Sequence, residues 1–109
     1  MKIATWNVNS IRSRLPRIAD FCRTQEPDVL CMQETKVSDD LFPAEELRAL
    51  GYEVIFAGER SYNGVAIASR LPMTLLTCGF DDGGPADAAR LIAVEVQPAP
   101  DAPRTSLPI

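Results

Sequence analysis

No histidine occurs anywhere in the 109 residues. That excludes imidazole proton transfer and imidazole metal ligation within this chain. Cysteine is scarce: Cys22, Cys31 and Cys78 are an odd number without Cys-x-x-Cys spacing. Cys22 and Cys31 fall in apolar runs, so buried thiols are expected rather than a disulfide framework. No apolar run approaches the roughly 20 residues of a membrane span, so no membrane partner is expected. The opening Met1-Lys2-Ile3-Ala4-Thr5-Trp6-Asn7 reads as a strand rather than a signal peptide. A reducing cytoplasm is the simplest compartment for such a chain. A basic surplus is also missing. The formal net charge is −4, which by itself argues against a nucleic-acid-binding domain.

What is present is ordinary for a folded domain: 46% hydrophobic and 24% charged residues, without the polarity of a disordered chain. The length suits one small domain with a modest core. Charge is unevenly spread. Lys2, Arg12, Arg14, Arg17 and Arg23 cluster early, whereas acids concentrate at Asp39, Asp40, Glu45 and Glu46 and again at Asp81, Asp82 and Asp87.

Ile3 to Asn7 reads as a first strand, broken by Asn9-Ser10. Leu15, Ile18, Ala19 and Cys22 fall on one face of a helix, with Pro16 suited to its first turn. Glu26-Pro27-Asp28 ends that helix. Val29 to Met32 is a continuous apolar run, read as a strand buried on both faces, and Gln33-Glu34-Thr35-Lys36 follows at once. Pro43 to Leu50 reads as a short helix stopped by Gly51. Glu53–Ala57 and Gly64–Ser69 read as strands around a turn containing Tyr62-Asn63-Gly64. Met73–Thr77 and Arg90–Val96 complete the set. Trp6 and Phe56 are expected in the core. From residue 97 onward the chain holds Pro98, Pro100, Pro103 and Pro108, so residues 97–109 are expected to be an extended or disordered tail. A single domain portion over 1–96 is expected.

Strand, helix, strand, helix and then several strands favour a mixed α/β sheet. A βαβ crossover would make the first two strands parallel and bring Asn7 and Glu34 to the same edge. Ligand sites in such sheets cluster at the carboxyl ends of strands. Glu34 offers the hard oxygen ligand that a cation such as Mg²⁺ prefers. Asn7 could bind the metal or orient a neighbour. The structural alternative is that Glu34 pairs with Lys36 or a nearby arginine while Asn7 caps a turn.

Two blocks go further. Lys2-Ile3-Ala4-Thr5-Trp6-Asn7-Val8-Asn9-Ser10-Ile11-Arg12 and Pro27-Asp28-Val29-Leu30-Cys31-Met32-Gln33-Glu34-Thr35-Lys36 resemble the first signature blocks of the exonuclease III family, within the endonuclease/exonuclease/phosphatase superfamily. The resemblance continues through Asp39-Asp40-Leu41-Phe42-Pro43, Gly51-Tyr52, Tyr62-Asn63-Gly64-Val65-Ala66-Ile67 and Arg90-Leu91-Ile92-Ala93-Val94-Glu95-Val96. It implies an α/β fold, the first half of a two-sheet αββα sandwich (DNase I-like), with a mixed sheet and flanking helices. It implies that Glu34 binds the metal, Mg²⁺ or Mn²⁺, with Asn7 beside it as a second catalytic and metal-site residue. Arg12, Lys36, Tyr62, Asn63 and Arg90 lie in segments resembling DNA-facing loops, and Asn9 resembles a residue that shapes the metal site.

The implied activity is metal-dependent phosphodiester hydrolysis at abasic sites or 3′ ends of double-stranded DNA, by a monomeric enzyme of base excision repair. The family's base-bearing Asp-x-Asn block and terminal Asp-His block have no counterpart here, so a truncated chain, inactive alone, is expected. Other readings are a superfamily phosphoesterase acting on phospholipids or inositol phosphates, and a non-catalytic remnant.

Overall fold

The computed structural model describes residues 1–58, 63–78 and 92–97. Strand β1 (Ile3–Asn7) leads through helix α1 (Ile11–Gln25) to β2 (Val29–Gln33). A 3₁₀ turn (Asp39–Leu41) and helix α2 (Ala44–Ala49) precede β3 (Glu53–Ala57) and β4 (Val65–Ser69). A second, antiparallel pair is formed by β5 (Met73–Cys78) and β6 (Ile92–Val96). The expected proline-rich tail and the turn residues 59–62 lie outside the described residues, apart from Gln97.

The four-stranded sheet has the order β1-β2-β4-β3. β1 and β2 are parallel, pairing Ile3 with Val29 and Asn7 with Gln33. β4 runs antiparallel to both β2 and β3. The expected crossover is therefore present, and the sheet is mixed.

Register explains the core. Trp6, Met32, Ala66 and Phe56 are cross-strand neighbours in one row, and Ala4, Leu30, Ala68 and Val54 form the next. Because side chains alternate along a strand, both rows share one face. Ile11, Ile18 and Cys22 of α1 and Leu47 of α2 join them in one buried cluster. Trp6 meets Phe21 edge-on at 5.7 Å between ring centres, and Phe42 stacks on Phe56 at 4.0 Å. Trp6 and Phe56 thus take the core role expected of them.

The opposite face carries no helix among the described residues. Cys31, Val65, Ile67 and Ile55 are only half-buried there and Ile3 is 43% exposed. One helical layer on one sheet is what the first half of an αββα sandwich consists of. Val29 and Met32 are buried as anticipated, while the burial of β2 on both faces fails at Cys31.

One helix boundary differs from expectation. α1 begins at Ile11, so Pro16 is its sixth residue and lies in the helix interior rather than the first turn. The early start is a tertiary effect: the Ser10 and Ile11 amides donate to the carbonyls of Glu34 and Thr35, at 2.9 and 3.0 Å. Pro16 is tolerated on the exposed side, at the cost of one helical hydrogen bond. α2 is one residue shorter at each end than expected, and Gly51 at φ +96° leaves it in the left-handed region that favours glycine.

Candidate active site

The carboxyl ends of β1 and β2 form one rim, and the chain bends sharply there. Asn9, Ser10, Glu34, Lys36, Asn63 and Gly64 all have positive φ, a conformation that is uncommon for residues other than glycine. Each kink is held by backbone bonds between neighbouring segments. Val8 N–H donates to Gln33 C=O at 3.0 Å, Thr35 N–H to Gly64 C=O at 3.2 Å, and Lys36 N–H to Asn63 C=O at 2.9 Å. The segment 33–36 is thereby laced between the β1–α1 loop and the start of β4.

This lacing brings Asn7 and Glu34 together. The Asn7 side-chain amide donates to Glu34 Oε2, and the Asn9 backbone N–H donates to Asn7 Oδ1 at 3.1 Å. That second bond sets the orientation of the amide: the oxygen must meet the N–H donor, so the NH₂ group meets the carboxylate. The seated geometry supplies the orienting role open to Asn7, and the amide oxygen, with one of its two lone pairs on the Asn9 N–H, keeps the other for a cation.

Lys36 Nζ donates to Asn9 Oδ1 at 2.6 Å and lies 3.6 Å from Glu34 Oε1. The turn cap and the Lys36 pairing of the structural alternative therefore both exist, and they coexist with convergence of Asn7, Asn9, Glu34 and Lys36 at one place. The hydrogen bond from Asn7, and then the Lys36 charge, hold the Glu34 carboxyl below the usual carboxylate range despite some desolvation. Glu34 is an anion at neutral pH, with 44% of its side chain exposed. An ionised, accessible carboxylate with hard oxygen donors suits Mg²⁺, which keeps several waters and takes only one or two protein carboxylates. Among the described residues, no cluster of three or more His, Cys, Asp or Glu side chains forms.

The other expected residues are placed less uniformly. Asn63 joins the rim through its backbone. Arg12 is exposed and lines a groove between α1 and the Asp39–Ala49 stretch, whose lining does not include Asn7 or Glu34. Tyr62 and Arg90 lie outside the described residues. Two residues that the sequence reading did not single out, Thr35 and Gly64, sit at the centre of the lacing. The sequence signal for them was their place inside the segments Pro27–Lys36 and Tyr62–Ile67.

The chain belongs to the Endonuclease/Exonuclease/phosphatase family, whose model matches residues 4–105. Within that family it is 30% identical over 97 residues to Exodeoxyribonuclease III of Haemophilus influenzae, covering 89% of this chain and 36% of that protein. Among solved structures, an AP endonuclease from Archaeoglobus fulgidus is 46% identical with a TM-score of 0.84, over 88% of this chain and 37% of that one. A 3′ phosphatase from Neisseria, solved bound to a product DNA hairpin, is 40% identical with a TM-score of 0.81, over 88% and 37%. The fold is thus that of the DNA-repair nucleases, and the chain spans little more than a third of the length of these relatives.

Proposed function

We propose that this chain carries the metal-holding rim of a DNA-repair nuclease of the exonuclease III type, acting on abasic sites or 3′ ends of double-stranded DNA. The observation that carries the reading is the Glu34 carboxylate, ionised, exposed at the end of β2 and pinned by the Asn7 amide. Its support from relatives is a set of proteins named as an exodeoxyribonuclease, an AP endonuclease and a 3′ phosphatase.

In this reading Glu34 is the protein ligand for Mg²⁺ or Mn²⁺. When bound there, such a cation polarises a phosphoryl oxygen and offsets charge on the leaving oxygen. Asn7 keeps the carboxylate from rotating away, and Asn9 keeps Asn7 in register. Lys36 places a positive charge beside the same carboxylate, where a DNA phosphate would approach. Asn63 at the rim and Arg12 on the neighbouring groove serve as further DNA contacts, and the same role is assigned to Tyr62 and Arg90, which lie outside the described residues. The enzyme works as a monomer in the cytoplasm, and the free thiols of Cys22 and Cys31 suit that reducing compartment. Activation of the attacking water needs a base within hydrogen-bond reach. The chain has no histidine, and none of its aspartates sits in a block resembling the family's base-bearing Asp-x-Asn, so residues 1–109 alone hold a cation without turning substrate over.

The test is a chimera in which residues 1–97 replace the matching segment of the Haemophilus influenzae Exodeoxyribonuclease III. The chimera should degrade duplex DNA from 3′ ends and incise an abasic duplex in the presence of Mg²⁺. Its Glu34→Gln version should be slower by about 100-fold or more, since a metal's charge stabilisation is worth several kcal/mol. A folded chimera that cleaves equally well with either residue would overturn the assignment.

A further inference from the structure

Asn7 touches the Glu34 carboxylate, but the path of the chain at Glu34 involves residues that do not. Thr35, the next residue, is 1% exposed. Its hydroxyl is buried without a hydrogen-bond partner among the described residues. Buried polar groups are normally satisfied, so the presence of this hydroxyl calls for a physical reason. Gly64 supplies one. It sits at φ +95°, and a Cβ placed there would lie 2.0 Å from Thr35 Oγ1, 3.2 Å from the Lys36 amide nitrogen and 3.3 Å from Thr35 Cβ. The Thr35 side chain therefore abuts the bare Cα of Gly64, in space that no other residue type at position 64 leaves open.

The backbone doubles this contact. Thr35 donates to the Gly64 carbonyl and accepts from the Ile11 amide, at 3.2 and 3.0 Å. One residue is thus fastened to β4 on one side and to the first residue of α1 on the other. Glu34 and Lys36, immediately before and after it, lie in the left-handed region at φ +54° and +55°. That pair of kinks makes the Glu34 side chain leave the strand on the rim beside Asn7 instead of continuing the alternation of β2.

We propose that Thr35 and Gly64 form a clamp of positioning residues for Glu34, in which the Thr35 side chain seated on the glycine Cα fixes the carboxylate against Asn7. The clamp deepens the reading of Glu34 as the metal-holding carboxylate and rests on it for its purpose. Its geometry can be tested without any metal. Shape, not the hydroxyl, is what the clamp needs. Thr35→Val keeps the branched shape and removes only a hydroxyl that has no partner among the described residues. Thr35→Ala removes the wedge, and Gly64→Ala drives a methyl into it. Pairing Gly64→Ala with Thr35→Ala removes the closest clash and leaves the milder contacts with the Lys36 amide nitrogen and the residue-35 Cβ, at 3.2 and 3.3 Å, together with the strain of a side chain at φ +95°.

The experiment uses the whole 109-residue chain, with the Asn7 side-chain NH₂ resonances as the reporter of its bond to Glu34, and Mn²⁺ titration as a separate readout. Thr35→Val should keep the wild-type Asn7 resonances. Thr35→Ala and Gly64→Ala should shift them toward the positions seen in Glu34→Gln, and the double variant should move back toward wild type. Mn²⁺ affinity should fall about 10-fold in the two disrupting variants, the scale of losing a group that orients a ligand, and recover in the double variant. If Gly64→Ala does not fold, the contrast between Thr35→Val and Thr35→Ala decides alone. Wild-type Asn7 resonances in a folded Thr35→Ala chain would overturn the clamp. Mn²⁺ binding indifferent to Glu34→Gln, with the Asn7 shifts as expected, would overturn the metal reading and leave the clamp standing.

Discussion

β2 has a carboxylate at each end, and the two are treated in opposite ways. At the amino end, Asp28 is enclosed in fixed partners. It accepts from the Lys2 backbone amide at 2.7 Å and from Arg70 at 3.1 Å. Arg70 also reaches the Glu26 carbonyl, its own amide donates to the Asp28 carbonyl, and the Tyr52 hydroxyl donates to Pro27 C=O at 2.7 Å. At the carboxyl end, Glu34 has an amide donor from Asn7 and a lysine 3.6 Å away, with almost half of its side chain open to solvent. Both carboxyls are held below their ordinary range, Asp28 first by the Lys2 amide and Glu34 first by Asn7. The donors at Asp28 are backbone and arginine and tie strands together. The donor at Glu34 is a side chain held in place by its neighbours, and it leaves oxygen lone pairs facing outward. A lowered carboxyl is therefore no mark of a site; what distinguishes Glu34 is that its charge remains available.

The comparison can be broken most decisively at the charge itself. Glu34→Gln should abolish measurable Mn²⁺ binding by the chain, whereas Asp28→Asn should leave it within about twofold, because only the first removes an anionic ligand. Calorimetric titration of both variants checks this, and equal losses would erase the distinction. Next in size, Asn7→Ala should weaken Mn²⁺ binding by about 10- to 100-fold, as loss of a ligand's orienting partner does, with little change in melting temperature. Tyr52→Phe should do the reverse. It leaves the Pro27 carbonyl without its buried donor, costing about 1–3 kcal/mol of stability in a denaturant melt while Mn²⁺ affinity stays put. Burial pushes the Tyr52 phenol up to about 12, so this donor persists through ordinary alkaline conditions.

The smallest effect concerns acid. Because the native Asp28 carboxyl is lowered, its contribution to stability is complete above the ordinary carboxylate value of about 3.9. It is lost as pH falls through the lower native value. Wild type should exceed Asp28→Asn by up to about 1 kcal/mol at pH 7, as for a partly exposed pair, and the gap should close at the acid end of a melting series. A gap that persisted at the lowest pH would point to packing rather than charge.

Much of this architecture was legible from residue order. The apolar run Val29 to Met32, the period of Ile18 and Cys22 and the helix stop at Gly51 reflect local preferences, and those elements appear where the pattern puts them. The crossover followed from one βαβ rule, and it sufficed to predict that Asn7 and Glu34 share an edge. The start of α1 was not legible. Pro16 is a strong local signal for a first turn, but the Ser10 and Ile11 amides found carbonyls in a segment more than twenty residues away, and a local rule cannot count such bonds. The half-exposure of Cys31 was hidden for a similar reason, since it depends on what covers the second face.

The residue types at the rim were present in the sequence from the start: an acid, an amide and a lysine within two short blocks, with a glycine beyond them. Their kinds make oxygen ligation and phosphate attraction available there, because ionisation and donor number belong to the side chain itself. Which of the two carboxylates beside β2 would be spent on structure, and which way the Asn7 amide would face, was decided only in three dimensions. The first outcome depends on Lys2 and Arg70 arriving from distant parts of the chain, and the second on the local Asn9 amide acting together with Glu34 from beyond α1. Hydrogen-bond partners are set by proximity in space, which the order of residues along β2 does not contain.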